Sequence, residues 1–257
     1  MVTYLLKKSY QRKDLKEINF KDLWGSHGVF TTMWIFNRSA KILFFKKHIK
    51  NLIKSLKVYK INESKLEKNI LKLIKLNIHK NKKYNHLLRV AINNKIISVS
   101  LRKRILAKPK FTLKLINYKR TKPEFKNLKY KKIIKYLSKI DTSCSDIGLC
   151  VNNNILESAT SNILFVSNNK IYSPINKFYK GITFNFFKKK IGKIIKKNIF
   201  INSLHIYDEI ILIGSGKGVV SVDYIKKPYW RRKSYKIYRF LSKIYRDPVT
   251  NCPRYNG

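Results

Sequence analysis

The chain has 257 residues, of which 44% are hydrophobic and 13% aromatic, which excludes a disordered protein and allows a large core. Its formal charge of +45, from 58 Lys and Arg against 13 Asp and Glu, invites a nucleic-acid interpretation. The lysines are spread along the whole chain, however, and the abundant residue types have codons rich in A and T, so we favour a bias of composition over a nucleic-acid partner.

The three cysteines predict neither a metal centre nor a disulfide framework. Cys144, Cys150 and Cys252 lack the spacing of metal ligands, and their number is odd. The first residues lack the apolar segment of a signal peptide, and no run reaches the roughly 18 apolar residues of a membrane span. We therefore expect a cytoplasmic protein without a bound metal.

The first half of the chain alternates between strands and helices. Apolar residues at helical spacing predict two consecutive helices, and period-two patterns predict the strands around them. The predicted elements are, in chain order, a β-hairpin over 29–45, helices over 46–61 and 63–78, and strands over 86–92, 95–101 and 111–118.

The second half is predicted to begin after a connection around Pro123, where charge is dense. We expect a first domain of residues 1–119 and a second of 120–257, each mixing helices and strands (α/β or α+β). The predicted elements are a helix over 130–139, strands over 147–152, 155–159, 162–167 and 170–174, a helix over 181–197, a strand over 209–216 and a closing helix within 229–247. The predicted buried face of that closing helix is Tyr235, Ile237, Phe240, Leu241 and Ile244.

Two glycine-containing turns are candidate anion sites. Three of the nine glycines lie within 214–218, directly after an apolar strand, where backbone N–H groups can approach an anion and Ser215 adds a hydroxyl. The stretch "KGIT" opens a helix, so the N–H groups of Ile182 and Thr183 lie at the positive end of the helix dipole. Each turn alone is also compatible with an ordinary connection, but together they could hold one phosphate.

Six segments, taken in chain order, resemble the patterns of the fold-type-IV family of pyridoxal-phosphate enzymes. The family includes branched-chain and D-amino-acid aminotransferases and 4-amino-4-deoxychorismate lyase. The segments are "GSHGVFTTMWIFN", "KHIKNL", "KNLK", "ESATSNILFV", "KGITF" and "IGSGKGVVSV", which together span about residues 25–225. The resemblance implies a smaller N-terminal α/β domain, a larger C-terminal domain, pyridoxal phosphate in the cleft between them, and a homodimer.

The resemblance also implies roles for residues at the cofactor. Lys126 would be the lysine that forms a Schiff base with pyridoxal phosphate, and Glu157 would bond the pyridine nitrogen of the ring. Asn162, with Ser161, would support the strand that carries Glu157. The implied phosphate-binding residues are Ile182, Thr183, Ser215 and Gly216.

The resemblance places Phe30 at the wall of the substrate pocket. A basic pocket would suit substrates that carry carboxylates, and the candidate residues are Arg89, Arg102 and Arg104. For these three arginines, a solvated position at a strand edge is an equally open interpretation.

The chain departs from the family at several positions. Asn51 stands where the family has a phosphate-binding arginine, and Lys50 or Lys54 could compensate for it. Trp34 and Thr31 replace the arginine and glutamate of the first pattern, and Lys129 replaces the asparagine that follows the catalytic lysine. These changes affect the expected cofactor affinity and substrate choice but leave Lys126 and Glu157 in place.

Four functional hypotheses remain open on the sequence, two within the family and two outside it. We favour an aminotransferase acting on an amino acid of the branched-chain or D-amino-acid type and a 2-oxo acid. The alternative within the family is 4-amino-4-deoxychorismate lyase, which releases pyruvate. Outside it, the chain could be a degenerate fold that binds the cofactor poorly or a basic nucleic-acid-binding protein, whose binding would weaken steeply with salt.

Overall fold

The computed structural model describes residues 3–61, 64–79 and 81–256. The chain divides into two compact units, which we call unit 1 and unit 2. Unit 1 comprises Met1–Arg104, Phe125–Lys131 and Pro248–Gly257, and unit 2 comprises Ile105–Glu124 and Lys132–Asp247. Residues 105–119 group with unit 2, and the division into domains at residues 119 and 120 stays a prediction.

Helices and strands alternate along the chain, which gives a mixed α/β fold. The helices in the described ranges are α1 (Phe45–Val58), α2 (Leu66–Asn77), α3 (Lys131–Leu137), α4 (Ile182–Ile191), α5 (Lys236–Thr250) and a 3-10 helix (Ile201–Ile206). The strands are β1 (Tyr4–Gln11), β2 (Glu17–Ile18), β3 (Gly28–Asn37), β4 (Lys41–Ile42), β5 (Tyr84–Asn93), β6 (Ile96–Lys103), β7 (Thr112–Asn117), β8 (Ser145–Val151), β9 (Asn154–Ser158), β10 (Asn162–Ser167), β11 (Lys170–Ser173), β12 (Ile195–Lys196), β13 (Glu209–Gly214), β14 (Gly218–Ser221), β15 (Tyr224–Ile225) and β16 (Trp230–Arg231). None of these described helices has the length and apolar character needed to cross a membrane.

Unit 1 is built on a six-stranded sheet in the order β2-β1-β6-β5-β3-β4. Helix α1 turns Ile49, Leu52 and Leu56, at helical spacing, towards the buried side chains of this sheet, such as Met33 on β3 and Leu88 on β5. Successive strand residues point to opposite faces, so the neighbours of these core residues project from the other side of the sheet. The predicted substrate-binding residues of β3, β5 and β6 lie in that second set.

The segment 125–131 runs alongside the beginning of β3. The N–H of Phe30 donates to the carbonyl of Lys126 at 2.9 Å, and the N–H of Leu128 donates to the carbonyl of Gly28 at 2.9 Å. Only glycine is compatible with this packing at position 28, because an added Cβ would lie 2.2 Å from the carbonyl oxygen of Ile92. The backbone of Lys126 is therefore fixed against the sheet of unit 1.

Unit 2 contains two five-stranded sheets, in the orders β12-β11-β10-β13-β14 and β16-β15-β7-β8-β9. Strands β9, β10 and β13 are almost wholly buried, which explains why the sequence shows them as apolar runs. Strand β9 carries Glu157, which lies opposite Leu149 of β8. Strands β13 and β14 pair as a hairpin whose turn lies within 214–218.

Two predicted elements of unit 1 and unit 2 are shorter than expected. The second strand of the predicted hairpin is only β4, because Phe44 takes a left-handed conformation (φ 55°) and α1 begins at Phe45. The helix predicted over 181–197 ends at Ile191, where Gly192 (φ 75°) stops it and β12 follows. In both places a positive φ interrupts a pattern that continues in the sequence.

The closing helix also differs from its prediction. Trp230 and Arg231 form β16, and the helix begins only at Lys236. Tyr235 and Phe240, predicted to be buried, are 44% and 46% exposed, whereas Ile237, Leu241 and Tyr245 form the buried face. These three follow the spacing i, i+4, i+8 of one helix face.

Candidate functional site

Glu157 is a buried carboxylate paired with a buried guanidinium in unit 2. Nε of Arg120 donates to Oε1 at 2.6 Å, and Nη2 donates to Oε2 at 2.9 Å. The side chains of Arg120 and Glu157 are only 2% and 6% exposed. Burial raises the pKa of Glu157 above its ordinary value, and the charge and hydrogen bonds of Arg120 oppose that change.

Two further contacts orient this pair. The N–H of Tyr179 donates to Oε2 of Glu157 at 3.3 Å, and Nη2 of Arg120 also donates to the carbonyl of Pro123 at 2.6 Å. The two planar groups are therefore held in a fork that favours one relative orientation. The sequence carries no local signal for Arg120, because a chain with 58 Lys and Arg offers many partners for one acid.

The two predicted anion turns meet in unit 2. Gly181 is the N-cap of α4, and the first helical bond runs from the N–H of Asn185 to its carbonyl at 3.0 Å. The N–H groups of Ile182 and Thr183 consequently have no acceptor within the helix. Oγ1 of Thr183 lies 3.1 Å from Oγ of Ser215, which together with Gly216 belongs to the other turn.

Asn162 ties β10 to the segment that leads into α4. Its Oδ1 accepts the N–H of Gly181 at 3.1 Å, and its Nδ2 donates to the carbonyl of Tyr179. An added Cβ at Gly181 would lie 2.8 Å from that Oδ1, so a side chain there would disturb the contact. Ser161 donates its N–H to Oγ of Ser158 at 2.8 Å, which closes the turn between β9 and β10.

A second buried acid, Asp146 on β8, supports the turn within 214–218. Its Oδ2 accepts from Oγ of Ser158 at 3.1 Å and from Oγ1 of Thr160 at 2.5 Å. Nζ of Lys217 lies 3.2 Å from the same oxygen and 4.4 Å from the centre of the Phe111 ring. The Lys217 charge is thus directed at Asp146, an arrangement that the sequence analysis did not identify.

Lys126 is partly buried in unit 1, whereas Lys129 and Lys131 are exposed. Nζ of Lys126 lies 5.4 Å from the centre of the Phe30 ring. On α1, Nδ1 of the buried His48 lies 2.8 Å from Oγ1 of Thr31. Burial, and then the positive charge of Lys126, lower the pKa of His48 to about 3, so its imidazole is neutral near pH 7.

Phe30 belongs to a cluster of three aromatic rings in unit 1. Its ring centre lies 4.9 Å from that of Trp24 and 5.5 Å from that of Tyr130, and the rings of Trp24 and Tyr130 are 5.8 Å apart. Arg89 lies with its guanidinium carbon 4.5 Å above Trp24. Lys126 therefore lies against the Phe30 ring and Arg89 against the Trp24 ring of the same aromatic cluster.

The other two candidate arginines lie further along β6 and just beyond it. Burial lowers the pKa of the Arg102 guanidinium, Tyr4 raises it, and the charge of Arg89 lowers it further. Arg104 places its guanidinium carbon 3.9 Å above the ring of Trp34. Trp34 therefore stacks with a cation at the position where the family has an arginine.

The departure at position 51 lies on α1. Asn51 is half-buried there, and its carbonyl accepts the hydroxyl of Ser55 at 2.8 Å. Lys50 and Lys54, the predicted substitutes, are both exposed.

Comparison with known proteins identifies relatives of this architecture. The sequence model of the family described as "Amino-transferase class IV" matches residues 28–225. No curated protein sequence matches the chain.

Three solved structures illustrate the similarity of fold. A branched-chain aminotransferase from Thermoproteus uzoniensis has a TM-score of 0.73 at 15% identity, covering 93% of each chain. An aminotransferase from Brucella abortus bound to the cofactor PLP has a TM-score of 0.71 at 14% identity, covering 94% of this chain and 98% of the other. A putative 4-amino-4-deoxychorismate lyase from Legionella pneumophila has a TM-score of 0.68 at 18% identity, covering 86% and 91%.

Proposed function

Because the chain belongs to the class IV amino-transferase family, we propose that it is a pyridoxal-phosphate-dependent aminotransferase that moves an amino group between an amino acid and a 2-oxo acid. The observation that carries this proposal is the buried pair of Arg120 and Glu157. A carboxylate is costly to bury, and this one is fixed by a fork of two hydrogen bonds at 2.6 and 2.9 Å. Such a group is suited to hold a protonated ring nitrogen.

The donor groups of unit 2 are compatible with the phosphate of that cofactor. The N–H groups of Ile182 and Thr183, which have no acceptor within the helix, and the hydroxyl of Ser215 are suited to an anion. Gly216 would bring the backbone of its turn close to the phosphate. The charge that the arginine at position 51 supplies in the family is absent, so we expect phosphate binding to depend on backbone and hydroxyl groups.

The residues of the chain would share the chemistry as follows. When bound, pyridoxal phosphate withdraws electrons from the α-carbon of the substrate. Nζ of Lys126 would hold the cofactor and carry the proton of that carbon. An oxygen of Glu157 would accept the N–H of the ring, while Arg120 keeps the carboxylate oriented.

The substrate would lie beside the aromatic cluster, with Phe30 as one wall and Arg89 as the principal candidate for a carboxylate. Arg102 and Arg104 are secondary candidates, because Arg104 already stacks on Trp34. We further propose a homodimer in the cytoplasm, as the family resemblance and the sequence composition suggest. An amino acid of the branched-chain or D-amino-acid type is the proposed donor.

One observation favours the lyase as a second candidate. Three aromatic rings with centres 4.9 to 5.8 Å apart lie beside Lys126, and they would suit a substrate that contains a ring. The two activities differ in their products. The lyase would release pyruvate from 4-amino-4-deoxychorismate without an acceptor, whereas the aminotransferase requires a 2-oxo acid.

The proposal is tested by cofactor attachment. Purified protein is incubated with pyridoxal phosphate, dialysed, examined by visible absorption and then reduced with borohydride for peptide mass spectrometry. We expect a retained visible band and a modified Lys126 in the wild type and in Lys129→Ala, and loss of both in Lys126→Ala. Folded wild-type protein without a band would contradict the proposal, as would modification at Lys129 in place of Lys126.

A further inference from the structure

Arg89 is a buried cation whose hydrogen-bonding capacity is only partly used. The residue is 8% exposed and lies on β5. Its Nη2 donates to Oδ1 of Asp22 and, at 3.4 Å, to the backbone carbonyl of the same residue. Among the described residues these are the hydrogen bonds that the Arg89 side chain makes, so its Nε and Nη1 remain available as donors.

Asp22 is a counter-ion that can leave without unfolding its loop. Its side chain is 50% exposed, whereas that of Arg89 is 9% exposed. The loop backbone is fixed at the preceding residue, because the N–H of Lys21 donates to Ser9 at 2.9 Å and its carbonyl accepts from Ser98 at 2.7 Å. Rotation of the Asp22 side chain is therefore enough to move its carboxylate into solvent.

A carboxylate from a ligand could use Arg89 more fully than Asp22 does. A guanidinium matches a carboxylate best through two parallel N–H bonds, and Asp22 engages only one nitrogen. The guanidinium carbon lies 4.5 Å from the centre of the Trp24 ring, a cation–π contact that takes up none of these N–H donors in a hydrogen bond. While no ligand is present, Asp22 offsets a charge that would be costly to bury alone.

We propose that a substrate carboxylate displaces the carboxylate of Asp22 from Arg89, and that Asp22 thereby determines which carboxylic acids the site accepts. This inference rests on the proposed function, because it takes the aromatic cluster between Lys126 and Arg89 as the substrate side of unit 1. A ligand must compete with a carboxylate tethered next to the guanidinium. Ligands that form two bonds to Arg89 are therefore selected over those that form one.

The experiment measures glutarate binding by calorimetry, with no cofactor or turnover required. Asp22→Asn keeps the size of the side chain and removes the competing charge. Glu17→Gln is the matched control, because Glu17 is also 50% exposed and is paired with Lys8 at 2.8 Å in the same unit. In Asp22→Asn/Arg89→Lys the positive charge remains but the planar fork is lost.

We expect Asp22→Asn to bind glutarate about tenfold more tightly than the wild type, since a charged competitor is removed. Glu17→Gln should bind like the wild type, and the double variant should lose the gain while circular dichroism shows that it is folded. Unchanged affinity in Asp22→Asn, or a gain that survives in the double variant, would overturn the inference. If the protein fails the cofactor-attachment test but Asp22→Asn still gains affinity for glutarate, the proposed function is rejected and the carboxylate site stands.

Discussion

Glu157 and Glu209 are both buried in unit 2, at 5% and 1% exposure, but different groups satisfy their oxygens. Glu209 on β13 accepts the N–H groups of Ile237 and Tyr238 at 2.8 Å each, within the first turn of α5. Glu157 on β9 instead accepts from the guanidinium of Arg120. One acid is bound by the backbone of a helix, and the other by a side chain that carries a full charge.

The difference separates a carboxylate that caps a helix from one that is held in a side-chain ion pair. Helix N–H groups cannot leave their carboxylate unless α5 moves, so Glu209 serves to fix that helix to β13. The Arg120 and Glu157 pair has no net charge and keeps its carboxylate oriented within the unit that carries the two anion turns. Its geometry can be changed by substitution without removing a helix cap, so the two acids should respond differently to mutation.

The largest effect is expected for Arg120→Met. This change leaves the Glu157 carboxylate buried without its cation, which should lower the free energy of unfolding by about 3 kcal/mol in urea denaturation. The double variant Arg120→Met/Glu157→Gln removes the stranded charge and should recover most of the loss. Equal stability of the single and double variants would mean that the charge of Glu157 is not what makes Arg120 necessary.

A smaller effect is expected for Glu209→Gln. The amide oxygen can still accept one N–H of α5, but the charge at the helix terminus is lost, so the free energy of unfolding should fall by about 1 to 2 kcal/mol. The affinity of the folded protein for pyridoxal phosphate, measured by absorption titration, should stay at the wild-type value. A clear loss of affinity would contradict the distinction between the two acids, because Glu209 would then share the role proposed for Glu157.

The elements that the sequence predicted well are those whose burial follows a local period. The strand predicted over 162–167 is β10 (Asn162–Ser167), and the helix predicted over 46–61 is α1 (Phe45–Val58). The prediction for the start of the closing helix was wrong, because Tyr235, whose ring fits the apolar pattern, is exposed and lies outside the core. The spacing of apolar residues therefore predicts the buried face of a helix only when all of those residues belong to the core.

The ion pairs could not be predicted in the same way. Arg120 lies 37 residues from Glu157, and Asp22 lies 67 residues from Arg89. Neither pair belongs to one helix or one hairpin, so no local rule connects its members. The roles of Lys126, Glu157 and the two anion turns came from motifs, and those roles stay predictions until the cofactor is tested.

The smallest expected effect concerns His48. Like the two acids it is a buried titratable group, but it is buried in its neutral form. Burial and the charge of Lys126 lower its pKa from 6.5 to about 3 in the folded chain. Between these values the unfolded chain binds the additional proton, so stability falls as the pH drops through 6.5. From pH 7 to pH 5.5 the wild type should lose about 1 kcal/mol from this group.

His48→Asn can keep the hydrogen bond to Thr31 and removes the titration, so this part of the pH dependence should disappear in chemical denaturation at the two pH values. His205→Asn, at an exposed position, is the control that should retain it. If His48→Asn and the wild type lose stability equally between pH 7 and pH 5.5, the imidazole is not held neutral in the folded chain. Burial and the charge of Lys126 would then not lower the pKa of His48 as far as about 3.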